Sequence, residues 1–313
     1  MGAEHSKGMQ KRWNGVKKDQ TLWQDFAKDL IKIVPPDPVW EIKIKDKQAM
    51  DLVMKILDEE LGAGDNKAAE RTLIAINRTL WLKSNFARMG EGKTCFAPLI
   101  AALQLDDAVI VGLSLEALRL STAQRFRPLD HAKIAQVNKF ETKNKKIFFE
   151  KHKGYTAVAN AFKKFAKQEG SNTYRVLLQS LAIFECAIAS HEHTSDFEAT
   201  GRVKDLVLPR RQLLFSLARE HAQEVGMRAT LLIRSILEHS TADSMRSIQD
   251  QARESGALLW IFRNAMARPR EGAAPSDDIS VVSREVCGLL CDGNGESIHA
   301  LSHVLPVSVF KCC

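Results

Sequence analysis

The chain has 313 residues, 45% hydrophobic and 27% charged, with a formal net charge of +7. These are values of an ordinary globular protein, and they exclude a collagen, a disulfide-dense miniprotein and a wholly disordered chain. No apolar run reaches the ~18 residues that span a bilayer, because Ser114, Glu116 and Arg119 interrupt the longest, Ala108 to Leu120.

Residues 1–18, MGAEHSKGMQKRWNGVKK, are polar and glycine-containing, and read as a mobile basic segment. They have no apolar core of a secretory signal, so the six cysteines are expected to stay reduced in the cytosol. Residues 19–64 read as a helical extension, with helices near 19–33 and 47–61. Between them lie Pro35, Pro36 and Pro38, and a strand-like stretch, VWEIKIKD (39–46). From residue 65 to 313 the apolar spacing is three and four throughout. It predicts helices near 66–83, 96–104, 107–124, 129–141, 144–153, 155–168, 172–190, 203–222, 226–239, 242–254, 257–268 and 280–304. The last is expected to split at Gly293-Asn294-Gly295. The total is about fourteen helices, an all-α chain. Loops are expected at 190–202 and 269–278.

Three of these segments, 108–121, 174–190 and 226–240, are Leu-rich with small or apolar residues on more than one face. Each is expected to be enclosed on several sides. Their uneven spacing suits an irregular α-solenoid, in which each helix pair packs on its neighbours, better than a clean repeat. A single irregular helical bundle is the alternative.

The charge is concentrated. Between Lys133 and Lys167 ten lysines face only Glu141 and Glu150. Lys143, Lys145, Lys146, Lys151 and Lys153 form a candidate patch for an acidic membrane surface or an acidic partner. Phe140, Phe148, Phe149 and Tyr155 are interleaved at helical spacing, which reads as core, so nucleic-acid binding through residues 133–167 is only an alternative.

ARMGEGKT (87–94) fits a relaxed nucleotide-binding pattern. In such a loop Gly90 and Gly92 free backbone N–H groups for phosphates, Lys93 reaches the β/γ-phosphates and Thr94 binds magnesium. That chemistry needs a strand before the loop, and residues 68–86 read as a helix instead. The stretch is therefore read as an interhelical loop, with nucleotide binding as a competing function.

Cys287 and Cys291, and His299 and His303, are two i, i+4 pairs. Together they could offer a zinc ion two thiolates and two imidazoles. The competing reading puts the cysteines in a core and the histidines on a surface. His191 and His193 read as exposed loop residues. No catalytic set stands out, and neither a cofactor nor a metal is assigned. Gly2 begins a short myristoylation pattern, MGAEHS, and Cys312-Cys313 form a terminal pair.

From Gln136 onward the sequence resembles a known family. The segments are NKKIFFEKHK (144–153), RVLLQSLAIFECAIASHEHTSDFE (175–198) and RRQLLFSLAREHAQEVGMRATLLIRSILEHS (210–240). They continue with SMRSIQDQARESGALLWIFRNAM (244–266) and SREVCGLLCDGNGESIHALSHVLP (283–306). In that order they are similar to the armadillo-like helical region of the endosomal J-domain proteins of receptor-mediated endocytosis. This is the DnaJ subfamily C member thirteen type, called gravitropism-defective in plants. The resemblance implies an armadillo/HEAT-like α-solenoid and a non-catalytic scaffold in endosomal membrane traffic. Its partners would be other proteins of that traffic, and its location cytoplasmic or peripheral on endosomes. It also implies that 87–94 is a helix–helix loop. The His-Pro-Asp tripeptide of a J-domain does not occur here, so Hsp70 stimulation is not expected. The chain reads as a stand-alone piece of that scaffold or a fragment of it.

Overall fold

The computed structural model describes residues 2–32, 49–80, 88–89, 95–122, 131–188, 211–220, 224–269 and 278–304. Side chains of residues 2–7, 131–139 and 219–220 are outside that description. The strand-like stretch 39–46, His191, His193 and the Cys312–Cys313 pair all lie outside the described residues.

Every regular element among the described residues is helical. In chain order they are α1 (Gly2–Lys18), a 3-10 turn (Gln20–Leu22), α2 (Trp23–Lys32), α3 (Ala49–Gly62), α4 (Asn66–Thr79), α5 (Ala97–Ala102), α6 (Ala108–Thr122) and α7 (His131–Glu150). They continue with α8 (Gly154–Phe165), α9 (Ser171–Ile188), α10 (Arg211–Glu220), α11 (Glu224–Glu238), α12 (Ala242–Glu254), α13 (Ala257–Ala265), α14 (Ile279–Cys291) and α15 (Gly295–Ser302). No described helix is long and apolar enough to cross a membrane.

The chain divides into two compact units. The first is residues 1–183 with 191–195, and the second is 184–190 with 196–313.

In the first unit α4 packs against α2, α3 and α6, and α6 also packs against α5, α7 and α8. Residues from Ile110 to Leu115 of α6 are all buried, as are Ala117, Leu118 and Leu120–Thr122. Two of its buried hydroxyls find partners in their own helix: Ser121 donates to the Ala117 carbonyl and Thr122 to that of Leu118, both at 2.7 Å. Such back-bonding lets a polar residue sit in an apolar helix without an orphaned donor. Two aromatic clusters anchor the unit. Trp13, Trp23 and Phe26 meet with ring centroids 5.9–6.4 Å apart. Phe148 lies 5.5 Å from Phe96 and 4.9 Å from Tyr155.

In the second unit α10 packs against α11 and α13, and α14 against α11 and α13. Leu232, Leu258, Ile261, Val286 and Leu290 are fully buried there. The predicted split near residue 294 is present. Asn294 caps α15, its side-chain oxygen accepting from the Ser297 N–H at 3.0 Å.

Three expectations differ from what is found. Residues 2–18 form a helix, not a mobile segment, because Met9, Trp13 and Val16 share one face at i, i+3, i+4 spacing and are buried. The helices expected at 129–141 and 144–153 are one continuous helix, α7. No Gly or Pro interrupts it, and the Glu141–Lys145 pair at i, i+4 spans the expected break. The boundary expected at 64/65 is crossed by packing, since Trp23 Nε1 donates to Thr72 Oγ1 at 2.7 Å.

Candidate interaction face

The most enclosed helices, α6 and α11, have few accessible side chains, and most of these are charged. Past Val109, α6 shows only Glu116 and Arg119. Arg228, Arg234 and Glu238 are accessible on α11, with Met227 beside them. A charged group in such a helix is kept in water only on the one side left uncovered.

In the first unit these groups bridge successive helices. Asn77 of α4 donates to the Leu113 carbonyl at 3.1 Å and to Glu116 Oε2 at 3.3 Å. Arg175 of α9 pairs with the same Glu116 oxygen from the other side. Arg175 reaches it by lying across Gly112, where a Cβ would meet the arginine side chain at 3.3 Å. One step along, Arg119 Nε donates to Gln179 Oε1 at 2.5 Å. A polar ladder therefore crosses α4, α6 and α9. The accessible side of α4 adds Glu70, Arg71 and Arg78.

In the second unit Arg228 of α11 pairs with Glu185 of α9 at 3.1 Å, and Glu185 is only 5% exposed. Arg234 pairs with Glu285 of α14 at 2.5 Å and with Glu238 at 3.7 Å. Four arginines, three carboxylates and two amides thus connect neighbouring helices in the two ladders, each ladder within its own unit. The more exposed pairs contribute only about 0.2–1 kcal/mol each, whereas losing Arg228 would leave the buried Glu185 carboxylate unpaired at a larger cost.

The sequence-level reading did not single out these residues. Their trace was visible, since Glu116 and Arg119 are the charges that interrupt the longest apolar run.

The candidate sites drawn from sequence fall elsewhere. Cys287 and Cys291 sit on α14 and hydrogen-bond to each other. The thiol of Cys287 donates, which raises its own pKa and lowers that of Cys291. His299 and His303 form a separate pair at the end of α15, with Nε2 atoms 3.0 Å apart. Among the described residues no group of three or more His, Cys, Asp or Glu side chains is placed to hold a metal. The four residues proposed for zinc are two pairs, not one site, because each pair is used up within its own helix.

Of the lysine patch, Lys143, Lys146, Lys151 and Lys153 are exposed, whereas Lys145 is 16% exposed and paired with Glu141 at 2.8 Å. Residues two apart do not share a helix face, so Lys145 cannot join Lys143. Gly2 opens α1. Of the Gly-rich stretch, Ala87 and residues 90–94 lie outside the described residues. Arg88 pairs with Asp51 at 2.6 Å, and Met89 is buried. The last described element before the stretch is the helix α4. Next to Arg88, the buried Cys95 thiol donates to Asp51 Oδ1 at 3.3 Å, and burial pushes its pKa up to about 12.

Several solved structures share this arrangement of helices. Computationally designed armadillo repeat proteins for modular peptide recognition match with a TM-score of 0.58 and 13% identity, over 90% of this chain and 98% of theirs. An engineered protein from a structural genomics consortium matches with a TM-score of 0.58 and 13% identity, over 91% of this chain and 99% of its own. A designed armadillo repeat protein in complex with the peptide (KR)4 matches with a TM-score of 0.50 and 11% identity, over 90% of this chain and 98% of its own. The fold is an irregular armadillo-like α-solenoid. No family model matches the chain, and no curated protein matches it in sequence.

Proposed function

We propose that this chain is a non-catalytic helical scaffold that binds segments of other proteins on its two ladder faces, in endosomal membrane traffic. The carrying observation is the placement of charge. The helices most deeply enclosed, α6 and α11, keep Glu116, Arg119, Arg228 and Arg234 on their accessible side and link them to the next helix. Groups on the accessible side of an enclosed helix are within reach of a partner segment. Peptide recognition by designed proteins of the same fold supports the reading. The endosomal setting rests on the resemblance of residues 144–306 to the endocytic J-domain proteins.

Peripheral attachment to an acidic leaflet belongs to the same proposal. It would use a myristoyl group on Gly2 with Lys143, Lys146, Lys151 and Lys153. One acyl chain alone binds only marginally, and each lysine near the surface adds about 1 kcal/mol.

Selection from a displayed library of unstructured peptides tests the scaffold reading. Selected segments should bind the purified chain and lose affinity with Arg119→Ala or Arg234→Ala. A library that yields no binder sinks it. Proximity labelling in cells tests the setting separately. Recovery of no endosomal sorting component would remove the endosome and leave the scaffold.

A further inference from the structure

We infer that the ladder of the first unit takes an acidic segment of a partner protein, laid extended across α4, α6 and α9. This rests on the scaffold reading and adds to it the chemistry of the partner. Three observations carry it.

The first is charge. The accessible side of these three helices presents Arg78, Arg119 and Arg175 against Glu70 and Glu116, while Arg71 of α4 turns to Gln24 of α2. Three guanidinium groups outnumber two carboxylates, so the face is cationic. Arginine is the side chain that best matches a carboxylate, because its fork donates two parallel hydrogen bonds.

The second is the direction of the ladder. Its links run from helix to helix: Asn77 to Glu116, Glu116 to Arg175, and Arg119 to Gln179. A ligand following it must cross the helices rather than lie along one. Neighbouring helix axes are about 9 Å apart, and an extended chain advances about 3.3 Å per residue. About six extended residues therefore span the two steps from α4 to α9. Alternate side chains of such a segment point to one side about 7 Å apart, so acidic residues on that side come within reach of guanidinium groups on successive helices.

The third is positioning. Gly112 lets the Arg175 stem lie flat on α6. Arg119 hands its Nε to a neutral amide, that of Gln179. Both guanidinium groups are thereby held at defined places on the face. The same face repels a Lys/Arg-rich peptide, the ligand named for one designed protein of this fold. Charge on the interaction face, not the fold, would set the sign of the ligand.

Fluorescence anisotropy with the full chain decides it, using labelled peptides (DE)4, (KR)4 and (GS)4. We expect (DE)4 to bind, to weaken as salt rises, and to bind more tightly than the other two. The double variant Arg78→Glu with Arg119→Glu should weaken (DE)4 roughly tenfold or more and strengthen (KR)4, since reversed charges at a rim change attraction into repulsion. Should that variant melt early by circular dichroism, Arg78→Gln with Arg119→Gln gives the same readout with smaller steps. Lys143→Glu with Lys146→Glu, on α7, should leave (DE)4 binding unchanged. If (DE)4 does not bind while library-selected neutral or basic segments do, the acidic partner is wrong and the scaffold stands. If binding follows Lys143 and Lys146 instead, this face is the wrong one. If a single-stranded RNA displaces (DE)4 and binds more tightly through Arg78 and Arg119, the ligand is a nucleic acid and the inference is overturned.

Discussion

Glu60 shows how one residue sets a pH dependence. Its Oε1 accepts from Gln24 Nε2 at 2.5 Å, while its Oε2 is buried without a hydrogen-bond partner. Burial raises its pKa above the ordinary carboxylate value, against the lowering effect of Thr72 and Gln24. A raised folded pKa means that the folded state holds the proton more tightly. The stabilisation is complete below the ordinary value and is lost as pH rises through the folded value. Glu60→Gln should therefore remove a stability loss between mildly acidic and neutral pH. Urea unfolding of both proteins at pH 4.5 and 7.5 measures it, and an unchanged difference between the two pH values would refute it. Gly154 is a second residue with a steric role. A Cβ there would lie 2.1 Å from the ring of the fully buried Phe148. Gly154→Ala should cost about 1–3 kcal/mol by overpacking. The loss should shrink when Phe148→Leu is added, a coupling that a double-mutant cycle reads directly.

At the scale of elements, the junction of α14 and α15 depends on side chains that bind helix ends. Gln249 of α12 donates to the carbonyls of Leu289 and Asp292, both at 2.9 Å. Asn294 caps α15 and donates to Asp250 Oδ1 at 3.1 Å. It therefore needs an acceptor on one side and a donor on the other. Asn294→Ala should cost about 1–2 kcal/mol. Asn294→Asp, although an equally good cap on its own, should also destabilise, because it faces the Asp250 carboxylate with a second negative charge. Thermal melts of both variants test this, and a neutral Asn294→Asp would refute the role assigned to the Asp250 bond. The same logic closes α13, where Arg284 donates to the carbonyls of Ala265 and Ala267 at 2.8 and 3.0 Å.

At the scale of the molecule, the first helix is part of the core of its unit. Trp13 is fully buried against Trp23 and Phe26, and Arg12 pairs with Asp29 of α2. Trp13→Ala should cost about 3–5 kcal/mol, a large share of the roughly 5–15 kcal/mol that holds a domain folded. Deleting residues 2–18 should lower the melting temperature by several degrees or more. A truncated chain that melts with the full-length protein would return this segment to the mobile state its polarity suggests.

The sequence by itself determined that the chain is all helix, and it located three helices that are enclosed on several sides. It also marked the break at Gly293-Asn294-Gly295. These features follow from local spacing: an apolar face every 3.6 residues, and a cap where the pattern stops. Only the tertiary structure decided which charged groups meet. Arg175 and Glu116 are 59 positions apart, and Arg228 and Glu185 are 43 apart. No spacing rule links such pairs, because their meeting depends on how whole helices pack. The same reason explains the sites that did not form. Cys287, Cys291, His299 and His303 have ligand-like spacing along the chain, yet each pair closes on itself. Lys145 has the charge of its neighbours, but its helical phase turns it inward to Glu141. The order of α1 was legible only in Met9, Trp13 and Val16. Three apolar residues become a buried face only when another helix supplies Trp23 and Phe26 to cover them.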